Sequence, residues 1–202
     1  MDRIAARIVR ADPAFKAVVA AVGPLDLRPP HEDAFSALLR AIVFQQLAGS
    51  AANAIHGRVV ALFDGKGPTP AALLALKPGL LRGAGLSGNK ERAVIDLAAR
   101  FSDGTVPVVD LDALSDDEVV ERLSLVRGIG RWTAEMFLIF QLRRPDVWPA
   151  DDLGVRNGWT RIHKLATTPT AKELAPMGDV FKPHRTAAAW YCWRAVATVL
   201  PG

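Results

Sequence analysis

A glycine turn and a pair of carboxylates carry the chemistry that this chain advertises. Gly128-Ile129-Gly130 sits between two helical patterns in the stretch LSLVRGIGRWTAEM, and Asp151-Asp152 follow further on. Upstream, Ser115-Asp116-Asp117-Glu118 has capping-box spacing and opens an apolar run of Val119, Val120, Leu123 and Val126. Downstream, Trp132, Met136, Ile139 and Phe140 recur at helical spacing. Two helices joined by so short a turn form a hairpin. Without a Cβ, Gly128 and Gly130 can take unusual φ and let a ligand approach the backbone closely. The amides of the turn and of the second helix's N-terminus then make an anion site that a nucleic-acid phosphate fits. A carboxylate downstream of such a clamp can stabilise a cation that develops beside the bound phosphate. A glycine turn alone packs one helix on another about as often as it binds anything, so the reading rests on the company it keeps.

The elements that must position these groups are helical. Asp2 and Asp12-Pro13 read as helix starts, the second with a first-turn proline, and Gly23-Pro24 and Pro29-Pro30 mark a loop. A strong helix is expected over residues 33–47, with Phe35, Leu38, Leu39, Ile42 and Val43 on one face. Ser50 caps the next, carrying Ile55, Val59 and Leu62, and Thr69-Pro70 starts a short one. Further helices are expected over residues 87–101, from Ser115, after Gly130, from Asp151 or Asp152, and from Pro183. Residues 106–111 could be extended, but Pro107 argues against a central strand. About ten helices and almost no sheet make an all-α fold.

With 202 residues the chain suits one domain or a tightly fused pair. Half the residues are hydrophobic and 23% are charged, which excludes a disordered chain. The formal net charge is +4, permissive for nucleic acid without being diagnostic. Its distribution says more. Residues 102–121 hold seven acidic side chains and no lysine or arginine, whereas residues 122–164 hold eight basic against four acidic. The positive excess gathers around the hairpin and the carboxylates, where a phosphate backbone would lie; a solvated basic face is the plainer alternative. Cys192 is the only cysteine, so no disulfide forms within the chain and no four-cysteine iron–sulfur cluster is held. It reads as a packed core thiol. His31, His56, His163 and His184 show no metal-ligand spacing, and Gly83-Ala84-Gly85-Leu86-Ser87-Gly88 lacks the ending of a nucleotide phosphate loop. No signal peptide or membrane span is visible, so a cytoplasmic protein is expected.

Residues 125–134 and the stretch VWPADDLGV at 147–155 resemble the helix-hairpin-helix, Gly/Pro-rich loop and Asp of the base-excision DNA glycosylases, the HhH-GPD superfamily. The likeness is strongest to the DNA-3-methyladenine glycosylase II type. RAIVFQQLAGSAA at 40–52 and PHRTAAAWYCWR at 183–194 agree, so the resemblance spans roughly residues 35–200 with its pieces in the family's order. It implies a single glycosylase domain over residues 1–202 with two helical subdomains around a DNA-binding cleft. One lobe would cover about 33–126. The other would take 1–32 and 127–202, with the hairpin end, catalytic loop and C-terminal helix. The N-terminal β-domain of some relatives looks absent.

The resemblance also implies roles. A base alkylated on a ring nitrogen leaves as a neutral molecule without a general acid, and the sugar cation that remains needs a nearby carboxylate. That role falls to Asp152, with Asp151 as the cap of the helix that begins there; Asp152 as a second cap is the plain alternative. Trp132 stands where bifunctional lyases carry a lysine, which implies a hydrolase that leaves an abasic site without nicking the strand. Trp132, Met136 and Trp193 would line the base pocket, by stacking and cation–π attraction worth about 1–2 kcal/mol. Met136 departs from the aromatic found in some relatives. Trp190, Trp148 and Trp159 read as structural. Gly128, Ile129, Gly130, Arg131 and Thr133 would bind phosphate, and carbonyls of Ser124, Val126 and Ile129 could hold a monovalent cation, sodium or potassium, that is structural. The gap left by a flipped nucleotide would be filled by Gln46, or failing that Leu47. A monomer acting on double-stranded DNA with alkylated bases is expected, without other cofactors. A glycosylase for deaminated or mismatched bases and a non-catalytic helix-hairpin-helix DNA-binding module remain as alternatives. A purely structural helical domain would leave the basic clustering unexplained.

Overall fold

The computed structural model describes residues 2–47, 49–64, 67–107 and 111–198, and among them every regular element is helical. In chain order the helices are α1 (Arg3–Ala11), α2 (Lys16–Val22), α3 (Ala34–Phe44), α4 (Gly49–Ala61), α5 (Pro70–Leu74), α6 (Leu80–Gly83), α7 (Gly88–Ser102), α8 (Asp116–Ser124), α9 (Arg131–Phe140), α10 (Leu153–Ile162), α11 (Ala171–Met177) and α12 (Arg185–Ala197). Short 3-10 turns occur at Pro13–Phe15, Leu111–Ala113 and Gly178–Phe181. None of the described helices is long and apolar enough to cross a membrane.

Most starts lie where the sequence puts them. Asp2, Asp12, Asp33, Thr69 and Ser87 each accept a backbone N–H from the turn they open. Ser115 and Glu118 close a full capping box. Two starts differ. Ser50 lies inside the first turn of α4, which already begins at Gly49, and α12 begins at Arg185, after Pro183. Two helices were not expected, the four-residue α6 and α11. Within the stretch suggested as extended, residues 108–110 lie outside the described residues and Leu111 begins a 3-10 turn.

The chain forms two compact units, residues 30–137 and residues 1–29 with 138–202. The sequence reading ended the first lobe at about 126, whereas the compact unit runs on to Phe137 and takes in the hairpin turn. In it α7 packs against both α3 and α5, and α3 also packs against α4. Phe35, Leu38, Leu39, Ile42 and Val43 of α3 are all buried, with Phe35 edge-on to Phe101 of α7 at 5.3 Å between centroids. Val119 and Leu123 of α8 are fully buried.

In the other unit, Ala5 and Ile8 of α1 share one core with Phe15, Trp159, Phe181 and Tyr191. Its tightest seam is α10 on α12. A Cβ on Gly158 would lie 2.0 Å from the carbonyl oxygen of Cys192, so only glycine allows the helices this approach. Cys192 is wholly buried, and burial pushes its thiol well above the usual range, which makes it the inert core thiol expected. Trp148 donates from Nε1 to Leu174 O at 3.1 Å and packs on Gly178, and Trp159 stacks on His163; both are structural, as read.

Candidate active site

In the unit of residues 30–137 the hairpin is set by local bonds. Val126 N donates to Leu123 O and Ile129 N to Val126 O, each at 3.0 Å, and Ala134 N donates to Gly130 O at 3.1 Å to open α9. Val126 and Ile129 are buried and anchor the turn from inside. The Arg127 amide is taken by Asp96 Oδ2 at 2.7 Å, which fastens the turn to α7. Gly128 has φ +80° and its missing Cβ faces Ala93 at 3.4 Å, so glycine is required there by conformation. Gly130 differs from expectation. It is not among the positive-φ residues, and a Cβ placed on it would meet open space.

The amides of the first turn of α9 have no acceptor within their own helix and carry its positive end. Thr133 is buried there, and Arg131 pairs with Glu135 at 3.5 Å. The apolar stripe expected on α9 splits. Ala134, Phe137 and Ile139 are buried, whereas Trp132 is 45% exposed with half-buried Met136 one turn on. A large exposed indole on a rigid helix offers a flat apolar face to a planar ligand. Gln46 and Leu47 are exposed on the loop after α3, and Gln46 has φ +56°, an uncommon conformation for a side-chain-bearing residue.

In the other unit the stretch from Val147 to Asp152 is pinned at both ends. Val147 N donates to Thr186 Oγ1 at 3.0 Å, and Asp146 holds Arg185 through three bonds, one from its amide at 3.2 Å and two from its guanidinium at 2.9 and 3.0 Å. Asp152 N donates to Pro149 O at 3.0 Å, which turns the chain into α10. The cap of α10 is Asp152 and not Asp151: its Oδ1 accepts from Val155 N at 2.8 Å, while Asp151 is exposed. The same oxygen accepts from Trp193 Nε1 at 2.8 Å. Trp193 is stacked on Phe140 with centroids 5.6 Å apart. Its other neighbour is Gly154, whose Cβ, if present, would lie 2.8 Å from the indole and 3.0 Å from Asp152 Oδ1. A side chain at position 154 would therefore push the indole off the carboxylate.

So the structure brings Asp152 and Trp193 into direct contact, through a bond between residues 41 apart in sequence. Sequence reasoning took Trp193 for a pocket wall and missed this bond. Trp193→Phe keeps the ring and its stacking but removes the N–H donor. A hydrogen bond to a charged acceptor contributes about 1.5–3 kcal/mol, so kcat is expected to fall about tenfold or more from a poorly oriented carboxylate. Thermal unfolding and single-turnover rates on one preparation check this, with Tm within a few degrees of the parent's. An unchanged kcat would leave Trp193 as packing only.

Residues 39–181 match the family described as HhH-GPD superfamily base excision DNA repair protein. DNA-3-methyladenine glycosylase 1 of Schizosaccharomyces pombe is 39% identical over 172 residues, covering 84% of this chain and 74% of that protein. The structure of an S. pombe 3-methyladenine DNA glycosylase in complex with abasic DNA superposes with a TM-score of 0.86 at 35% identity, over 98% of both chains. A DNA-3-methyladenine glycosidase from Bacillus halodurans gives a TM-score of 0.89 at 31% identity, over 98% of this chain and 90% of that one. With the hairpin, the pinned loop and its terminal carboxylate in the order that this family model spans, the chain belongs to the HhH-GPD superfamily of base excision DNA repair proteins.

Proposed function

We propose that the protein is a monofunctional DNA glycosylase that hydrolyses the N-glycosidic bond of alkylated bases, 3-methyladenine and related cationic adducts, in duplex DNA. The observation that carries the reading is the Asp152 carboxylate, fixed by Val155 N and Trp193 Nε1 in a loop pinned at both ends. A carboxylate so held is preorganised for charge that appears in the transition state. Relatives named for 3-methyladenine support the substrate class.

The hairpin amides of Gly128, Gly130 and Thr133 bind the phosphate backbone, with Arg131 adding charge. Gln46 and Leu47 enter the duplex where the nucleotide leaves, and Trp132 and Met136 receive the extruded base on apolar faces that favour a cationic ring over a neutral polar one. The bond from C1′ to the base nitrogen breaks with its electron pair going to the base, which departs neutral. Asp152 stabilises the sugar cation left behind. Water then adds its oxygen to C1′ and gives up a proton, leaving an abasic site. Every group named lies on one chain, which supports a protein that acts as a monomer. The carbonyls of Ser124, Val126 and Ile129 would hold sodium or potassium, which would supply positive charge beside the turn. Val126 O already accepts from Ile129 N, which leaves it one lone pair for such an ion.

The test is to incubate the protein with methylated duplex DNA and identify the released bases by mass. Release of 3-methyladenine, with strands intact until alkali is added, is expected. Trp132 offers no amine to the sugar, so borohydride present during turnover should trap no covalent adduct. Release confined to uracil or hypoxanthine would move the protein to the deaminated-base class, and no release at all would leave a DNA-binding module.

A further inference from the structure

Within the unit of residues 30–137, the loop that ends α3 is tied to the hairpin by a short series of hydrogen bonds. Lys90, on the first turn of α7, donates from Nζ to the carbonyls of Val43 and Gln45, both at 2.7 Å. Gln45 in turn donates from Nε2 to the carbonyl of Gly128 at 2.9 Å. Gln46 follows at once in its left-handed conformation, and Leu47 after it is 39% exposed. A non-glycine residue with φ of +56° persists only where its surroundings over-determine it, and the bonds flanking Gln46 supply that constraint. An ammonium across the last carbonyls of a helix is also favoured by the negative end of the helix dipole. Burial lowers the pKa of Lys90 from its ordinary value. Its amine is turned into the protein by two carbonyls, which argues against a role as a sugar-attacking nucleophile.

We infer that Lys90 is a positioning residue for the duplex-entering segment: it holds Gln46 and Leu47 in their exposed geometry and, through Gln45 and the Gly128 carbonyl, ties that segment to the phosphate-binding turn. The hairpin's grip on a phosphate then also sets where the wedge enters the stack. This inference rests on the proposed role of residues 45–47 in entering the duplex.

The experiment compares base release from alkylated duplex with release from alkylated single strands, where the base is already unstacked and needs no wedge. Leu47→Ala and Gln46→Ala first establish what loss of the wedge looks like. Lys90→Met keeps the stem of the side chain and donates nothing, and Gln45→Ala cuts the second link. Lys90→Met is expected to slow duplex release about tenfold or more, the effect of a lost charge-assisted bond, and Gln45→Ala about severalfold, the effect of a lost neutral one. Single-strand release should stay near the parent rate, and the Lys90→Met/Gln45→Ala pair should be no slower than the worse single variant, as for links of one chain. A fluorescent 2-aminopurine beside the lesion, bright when unstacked, should lose its rise in all four single variants. If Leu47→Ala slows duplex release while Lys90→Met does not, Lys90 does not position the wedge. If Lys90→Met lowers duplex and single-strand release equally, its role is general support of the fold and the inference fails. If Leu47→Ala and Gln46→Ala leave duplex release unchanged, the wedge assignment itself is wrong and this inference falls with it.

Discussion

Asp152→Asn is expected to reduce base release by at least about 100–1,000-fold while leaving the protein folded and able to bind DNA. The structure makes this a clean substitution. The Asp152 Oδ1 position accepts from both Val155 N and Trp193 Nε1, and an asparagine amide oxygen can accept the same two bonds. What disappears is the negative charge, whose proposed interaction with the sugar cation strengthens only as the glycosidic bond breaks. Binding to abasic-site DNA should therefore change little while kcat collapses. Asp152→Ala is the less informative choice, because it also removes the cap of α10 at a cost of about 1 kcal/mol. Asp151→Asn should be close to silent in both activity and stability, since Asp151 is exposed and does not cap the helix. Single-turnover rates for the two asparagine variants decide the matter. An inactive Asp151→Asn beside an active Asp152→Asn would reverse the assignment of the doublet.

The largest stability effect is expected at Gly158. A single methyl there would sit 2.0 Å from Cys192 O and 2.4 Å from its carbonyl carbon. Both are backbone atoms, so no rotamer change relieves the overlap, and α10 and α12 must separate. Overpacking against side chains costs about 1–3 kcal/mol, and a clash with rigid backbone belongs at or beyond the upper end of that range. Because Trp193 follows Cys192 directly, separation of the seam also draws the indole away from Asp152. Gly158→Ala should thus lower Tm and kcat together, read by thermal unfolding and by base release well below the new Tm. A variant that unfolds at the parent temperature would show that the seam has slack the structure does not reveal.

Periodicity and capping rules made much of the scaffold legible. The five residues expected on the apolar face of α3 are all buried, and the Ser115 box opens α8 as its spacing requires. The helix α11 carries an equivalent box at Thr170 and Glu173, yet Pro176 inside it breaks the pattern by which a helix is recognised. At the doublet, two adjacent carboxylates satisfy the same capping rule. Which of them caps depends on a one-residue phase set by the turn from Pro149 to Asp152, itself fixed by tertiary contacts of the loop. The bonds from Trp193 to Asp152 and from Lys90 to Val43 and Gln45 join residues 41 to 47 apart, beyond the reach of any local pattern. Gly154 and Gly158 could be read only as weak helix formers until α12 was seen against them.

The double use of Asp152 Oδ1 has a thermodynamic consequence. An unrestrained carboxylate must surrender rotational freedom, and shed ordered water, each time a sugar cation forms beside it. In this chain the amide that starts α10 and the indole of Trp193 have already taken that freedom away. The entropy is lost once, as the chain folds, and the stability of the α10–α12 seam carries the loss for the lifetime of the molecule. In the proposed role of Asp152, little reorganisation is then left for the chemical step, so that a single carboxylate, a poor catalyst in water, suffices.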